Sequence, residues 1–251
     1  MVKITSDSSI LNNKEFNFID MHNHSNVSDG SKSPEFLAKY FAKKGIGLSI
    51  TDHNEIKGAV HLSKKDIFSI PGIEITTKQT KDILVYFYDI KDLIAFYETE
   101  IKQHKIPNRF FKWHKTSIDT FDLLDKIKQY NGISALPHPL ALKPKNSHLL
   151  LKNSEFVKKI DAIESHNFCI NQYKKTMNLI SKFKKPLTAG SDSHYVSLLN
   201  TLTGSHESNI NDFLKSILKK QNVIYYQDNH FFSRQLERFM IIKNNITLTK
   251  K

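Results

Sequence analysis

The stretch Phe18-Ile19-Asp20-Met21-His22-Asn23-His24-Ser25-Asn26-Val27-Ser28-Asp29-Gly30 constrains this chain more than any other. Its apolar beginning, Asn17 to Met21, reads as a buried strand. Residues two apart in an extended chain share a face, so His22 and His24 project side by side. Asp29 follows in a Ser-Asp-Gly turn cluster that can fold a carboxylate back toward the same point. Two imidazoles and a nearby carboxylate make a hard-to-borderline ligand set suited to zinc, manganese or iron. The bland alternative is coincidence in a chain with twelve histidines.

A chain of 251 residues suffices for one large α/β domain or two small ones, and a single barrel domain reaches this length. The apolar fraction of 39% and the charged fraction of 25% exclude the disordered and membrane classes. No apolar run approaches a membrane span, and Met1 to Asn17 is polar with no secretory pattern. Cys169 is the only cysteine, which excludes an intramolecular disulfide framework and fits a reducing cytoplasm, the expected compartment. The net charge of +12 and pI of about 9.5 favour phosphates, nucleic acid or acidic surfaces as partners. Lysine pairs such as Lys43-Lys44, Lys64-Lys65 and Lys158-Lys159 read as solvated helix faces in a biased composition rather than a dedicated nucleic-acid surface.

A strand followed by a helix recurs along the chain. Strands are expected at Phe16 to Met21, Leu48 to Ile50, Ile83 to Phe87, Ile133 to Leu136, Ile160 to Ile163 and Pro186 to Ala189. A helix capped by Ser33 with Pro34 in its first turn runs to about Lys44, and Gly45 ends it. Further helices are expected near Ile56 to Lys65, from Lys91 to about Tyr130 with Pro107 as an interruption, and from about Asn171 to Lys184. With no internal repeat and no Pro/Gly-rich linker, the reading is one domain over 1–251, with a core of about 16–204 and an extension over about 205–251, of which Asn222 to Lys251 is expected to pack on the barrel's outside. The polar residues of interest sit at the carboxyl ends of the short apolar strands. That is the layout of an α/β barrel whose site is built from strand-to-helix loops, with an open doubly wound sheet as the alternative.

His22, His24, Asp29, Asp52, His53, Glu74, His138, Asp192 and His194 supply more ligands than one metal can use. In the motifs that carry them the sequence resembles the polymerase-and-histidinol-phosphatase, or PHP, superfamily of metal-dependent phosphoesterases. The resemblance lies in Asp20-Met21-His22-Asn23-His24-Ser25 with Ser28-Asp29-Gly30, in Ile50-Thr51-Asp52-His53-Asn54 with Gly58, and in Pro71-Gly72-Ile73-Glu74-Ile75. It continues through Leu136-Pro137-His138-Pro139 and Gly190-Ser191-Asp192-Ser193-His194, in the family's order, over about Phe16 to Gly204. It implies a distorted TIM-like barrel of about seven strands with two or three divalent ions, Mn2+, Zn2+ or Fe2+, at the carboxyl ends of the strands.

Carried over residue by residue, the resemblance gives His22, His24, Glu74 and Asp192 to one metal. Glu74 would bridge to a second metal with His138, and Asp29, His53 and His194 would hold a third. Asp20 and Asp52 are expected to orient neighbouring histidines or turns. Relatives usually place a histidine shortly after the bridging glutamate; here Asp82 stands in that place and is read as the second metal's ligand, ahead of His104 or His114. His22, Asp192 and His194 are the expected catalytic residues, and Lys143 the expected phosphate clamp, because some relatives place an arginine two residues earlier. Glu164 is read either as a tie between loops or as a substrate contact, and Cys169 as a small packed residue.

The expected activity is hydrolysis of a phosphate ester by metal-activated hydroxide, on a phosphorylated small molecule, nucleotide or short oligonucleotide, with no membrane partner. The alternatives are a histidinol phosphate phosphatase and a non-catalytic, metal-stabilised binding module.

Overall fold

The computed structural model describes residues 2–107, 115–141, 146–167, 173–195 and 200–227. Two five-stranded sheets and the helices on them make a mixed α/β fold. The first sheet has the order β1 (Lys3–Thr5), β12 (Val223–Tyr226), β11 (Thr201–Ser205), β2 (Asn17–Asn23), β3 (Gly47–Ile50). The second runs β10 (Leu187–Gly190), β9 (Ala162–Asn167), β8 (Ile133–Leu136), β5 (Asp82–Tyr86), β4 (Gly72–Thr76). β4, β5 and β8 are buried at every residue, which requires cover on both faces.

The sheets meet along two lines, and both deliver ligand-type residues. Beyond the end of β3, His53 bridges to Glu74 of β4, with Asn54 N donating to Glu74 O at 2.8 Å. At the end of β10, Asp192 N donates to His22 O at 2.7 Å and His24 N to Ser193 O at 3.0 Å. The β2–β3 register shifts between Asp20 and Asn23, where His22 lies.

Apolar side chains fill three zones. Ile19, Met21, Leu84, Tyr86, Ala135 and Ala162 pack between the sheets, together with Phe213, Leu214 and Ile217 of α7 (Ile210–Leu218). Phe18, Leu48, Ile50 and Leu202 pack under α1 (Pro34–Lys43) and α2 (Lys57–Leu62). Ile73, Ile75, Val85, Leu136 and Ile163 pack under α3 (Ile90–Phe96), α4 (Thr120–Gln129), α5 (Ser154–Lys159) and α6 (Tyr173–Ile180).

The cap of α1 is as the sequence predicts: Ser33 Oγ accepts from Phe36 N at 3.2 Å, and Gly45 follows at φ 65°. Three features differ from expectation. A uniform strand–helix series would be parallel, yet β5 runs antiparallel to both β4 and β8, because a tight turn with Thr80 at φ 59° joins β4 to β5 directly. The expected helical stretch from Lys91 to Tyr130 is broken by a two-stranded ribbon, β6 (Lys105–Ile106) with β7 (Lys115–Thr116), just where Pro107 has no amide to donate. β11 escaped the sequence reading altogether, since Thr-Leu-Thr-Gly-Ser lacks an apolar run.

Gly190 sits where β10 crosses β2, and a Cβ there would lie 2.4 Å from both Cβ and N of His22. Gly45 has the left-handed φ but nothing within 4 Å of a Cβ. In urea unfolding, Gly190→Ala should therefore cost about 2 kcal/mol or more through overpacking. Gly45→Ala should cost about 1 kcal/mol through backbone strain alone. Equal losses would mean that close approach is not what position 190 requires.

Candidate metal centre

The centre is assembled at the carboxyl ends of β2, β3, β8 and β10 and the middle of β4, with one residue from the start of β5 and one from the turn after β2. β2 places His22 and His24 with their Nε2 atoms 3.2 Å apart, as the period-two reading predicts. Glu74 on β4 lies under them. Its Oε2 is 3.0 Å from His53 Nδ1, 3.3 Å from His24 Nε2 and 3.6 Å from His22 Nε2. Its Oε1 is 3.1 Å from His138 Nε2. Asp192 Oδ1 closes the same region at 3.2 Å from His24 Nε2 and 3.3 Å from His22 Nε2. On the far side of His24, Asp29 Oδ1 is 3.3 Å from His194 Nε2 and 3.7 Å from His24 Nδ1.

Four sets among these residues bring their ligand atoms within 4.8 Å of one another. They are His24, Asp29, His53 and His194; His22, His24 and Glu74; His22, His138 and Asp192; and His53, Glu74 and Asp82. Their union is the same nine residues that the sequence nominates as ligands. The division between sets is less clean than the resemblance implies, because His24 also joins the Asp29 set and His53 also faces Glu74 and Asp82. Asp82 is fully buried, receives the Thr76 hydroxyl at 2.6 Å and stands 3.9 Å from His138 Nε2.

The donor set suits divalent metal. Glu74 Oε2 and Nδ1 of both His24 and His138 are buried without a hydrogen bond of acceptable geometry, and a buried polar atom left this way points to an ion or water. Imidazole and carboxylate donors match zinc, manganese or iron. His138 and Asp192 are held at φ 30° and 52°, a left-handed backbone that non-glycine residues adopt at a cost of about 1–3 kcal/mol and that recurs at functional sites.

Three further carboxylates hold the centre in place. Glu164 Oε1 accepts from His22 Nδ1 at 2.9 Å, and its Oε2 accepts from His138 N at 2.8 Å and Asn167 Nδ2 at 3.0 Å. With Glu164 on Nδ1, His22 turns Nε2 toward Glu74 and Asp192. Of the two roles open to Glu164 in the sequence, the tie between loops is the one the geometry displays. Asp20 accepts from His22 N at 3.1 Å, Ser191 N at 2.8 Å and Ser191 Oγ at 2.6 Å. Asp52 accepts from Ser25 N at 2.8 Å, Ser25 Oγ at 2.7 Å and Ser28 Oγ at 2.6 Å. Burial pushes the Asp20 carboxyl up to about 6 against these hydrogen bonds.

Of the other candidates, His104 bonds Ser117 Oγ at 3.1 Å on an exposed stretch and does not join the centre. His61 pairs with Glu35 at 2.9 Å, and His206 bonds Glu15 O at 3.0 Å. Lys143, His114 and Cys169 lie outside the described residues. The sequence reading gave no role to Lys32 and Tyr195, although Tyr195 directly follows the Gly190–His194 motif.

No family model matches the chain. An uncharacterised protein of Methanocaldococcus jannaschii is 28% identical over 185 residues, which are 71% of this chain and 65% of that protein. A two-domain protein of Bacteroides vulgatus containing a predicted PHP-like metal-dependent phosphoesterase superposes with a TM-score of 0.60 at 14% identity, over 85% of this chain and 66% of that one. Endonuclease Q, solved with a 27-mer duplex carrying an abasic lesion at its active site, superposes with a TM-score of 0.64 at 14% identity, over 84% of this chain and 58% of that one. The chain thus spans just under two thirds of the length of the first relatives it matches. Its fold is that of the PHP-like metal-dependent phosphoesterases.

Burial alone would push His22 and His138 down, but the surrounding carboxylates, Asp192, Glu164 and Glu74 for His22 and Glu74 foremost for His138, outweigh it and hold both above 6.5. Without metal these imidazoles therefore hold a proton to higher pH than an ordinary imidazole does, and a cation must displace it. Metal affinity should rise with pH and keep rising above 6.5, and calorimetric binding heats should depend on the buffer's ionisation enthalpy. Glu164→Gln should weaken metal binding about 10–100-fold in chelator competition by loosening the orientation of His22. Affinity independent of pH, or unaltered in Glu164→Gln, would contradict this account.

Proposed function

We propose that the chain is a metal-dependent phosphoric ester hydrolase whose substrates are nucleotides or short oligonucleotides. The observation that carries this reading is the convergence of imidazole nitrogens on a buried Glu74 oxygen, within a ring of nine buried ligand-type side chains. Structural binding modules need one closed tetrahedral set, whereas overlapping sets that share Glu74 and His24 suit a multi-metal hydrolytic centre. In this reading the nine ligands are His22, His24, Asp29, His53, Glu74, Asp82, His138, Asp192 and His194, holding two or three ions of Mn2+, Zn2+ or Fe2+. We take β2, β3, β4, β5, β8, β9 and β10 as the wall of a distorted barrel around the interior cluster, and the chain as one PHP domain.

Metal ions bound there would supply Lewis-acid stabilisation of phosphoryl oxygens and water acidified toward neutrality. The chain's own residues do the positioning. Glu164 holds the ring of His22, Asp20 ties β2 to the loop after β10, and Asp52 fixes the turn that presents Asp29. His194 Nδ1 bonds Asp192 O at 2.9 Å, which turns its Nε2 toward Asp29. In this reading His22, Asp192 and His194 are the catalytic residues, and Lys143 is the proposed phosphate clamp.

Two observations support a nucleotide or oligonucleotide substrate: the net charge of +12, and the likeness to Endonuclease Q, which is solved on a DNA duplex. Among the described residues no helix is long and apolar enough to cross a membrane.

The test is turnover with manganese, zinc or ferrous iron on p-nitrophenyl phosphate, histidinol phosphate, nucleoside monophosphates and 5′-phosphorylated RNA and DNA. Metal-dependent release is expected on the nucleotide substrates, with at least a 100-fold loss in His22→Ala. Selective turnover of histidinol phosphate would replace the substrate assignment. Tight metal binding without turnover on any member would leave only a metal-stabilised module.

A further inference from the structure

The loop that carries Asp29 and the loop that carries His194 are laced together just outside the centre. Ser31 N donates to His194 O at 2.6 Å, Ser31 Oγ donates to Tyr195 O at 3.1 Å, and Asn26 N donates to Lys32 O at 2.8 Å. This lacing puts the Lys32 ammonium 5.5 Å from the centroid of the Tyr195 ring and 5.1 Å from that of Phe36. Lys32 is half-buried, and no carboxylate lies within ion-pair distance of it among the described residues. Phe36 is 47% exposed, one of the few large apolar side chains left open to solvent, and its other neighbour Tyr40 stacks nearly parallel at 6.2 Å.

Lys32 is thus a cation aimed by two aromatic rings and left without an anion among the described residues. The groove between α2 and α3, about 830 Å³, shows the contrast. There Lys105 is paired with Glu55 at 3.3 Å and Lys102 with Glu98 at 2.6 Å, so two of its cations are already answered. At Lys32 the missing partner is an anion, and exposed ring surface sits beside it. A phosphate next to a planar base satisfies both at once, and single-stranded nucleic acid presents that pair at every step.

We infer that Lys32, Phe36 and Tyr195 form a subsite beside the centre that binds the nucleotide unit flanking the hydrolysed phosphate, which makes the substrate a single-stranded oligonucleotide. The inference rests on the phosphoesterase reading for its chemistry but not for its binding. Lys32 holds the flanking phosphodiester and the rings hold the base. A small phosphomonoester has no group to place there.

Two measurements test it. In the metal-loaded protein, Lys32→Ala and Phe36→Ala should raise KM for a short 5′-phosphorylated single strand about tenfold with little change in kcat. The preference in kcat/KM for that strand over p-nitrophenyl phosphate should fall by the same factor, and Phe36→Trp should keep it. Lys39→Ala removes the same charge from α1, where Lys39 is 78% exposed and pairs with Glu35 at 3.3 Å, and should leave the preference as it is. In the metal-free protein, anisotropy of the labelled strand across a salt series should give a slope smaller by about 0.7 in Lys32→Ala than in wild type.

An equal loss on both substrates, a loss matched by Lys39→Ala, or an unaltered salt slope would overturn the subsite. Absence of any turnover in wild type would sink the phosphoesterase reading alone, and the binding series would still decide this one.

Discussion

Everything in this structure bends to one constraint: nine ionisable side chains must converge in the buried interior. Glu74 is fully buried with imidazoles on both of its oxygens, and Asp192, Asp29 and Asp82 surround the same rings. An isolated carboxylate moved from water into an apolar interior costs many kcal/mol, so such groups persist only when paired, protonated or bound to metal. Pairing decides the direction of the shift at the acidic ligands Asp29 and Glu74. Burial would raise Asp29 and Glu74, but facing histidines hold both well below the usual carboxylate range.

That constraint explains the small and strained residues around the centre. Gly190 lets β10 approach the backbone of His22, and Gly58 lies where a Cβ would come within 2.3 Å of Asp52 Oδ2. The left-handed backbones of His138 and Asp192 are kept by hydrogen bonds at their own amides, to Glu164 Oε2 at 2.8 Å and His22 O at 2.7 Å. A strained ligand held from its own amide gives geometry that side-chain packing alone would leave loose. The centre and its supporting layer are therefore one hydrogen-bonded unit spanning both sheets.

The centre was legible in the sequence for a physical reason. Ligands that must sit at strand ends follow short β-branched runs, and His22-x-His24, Asp52-His53 and Asp192-x-His194 each punctuate such a run. What stayed hidden depends on long-range packing. β11 is a strand because Phe18, Val223 and Ile19 flank it, with Gly204 set against the Phe18 ring, and nothing local in Thr-Leu-Thr-Gly-Ser says so. The β6–β7 ribbon interrupts a region whose composition favours helix. The Lys32, Phe36 and Tyr195 group joins positions far apart in the chain, and the backbone bonds between the β2 and β10 ends together with the Ser31 bonds to His194 and Tyr195 bring them together.

The net charge, finally, understates what a substrate meets. Asp20, Asp29, Asp52, Glu74, Asp82, Glu164 and Asp192 are all buried. Removing those seven from the 25 acidic residues leaves 18 to face 37 Lys and Arg over the rest of the same 251-residue chain. Among the described residues no Lys or Arg is buried beside those carboxylates, and any cation held at the centre would add to the basic excess. Such a field draws polyanions from about a Debye length away but does not orient them. Orientation requires a cation fixed in place near the centre, and Lys32, clamped between two rings on loops that also carry Asp29 and His194, is fixed in that way. Long-range attraction and local placement are then supplied by different lysines, the first by many exchangeable ones and the second by one.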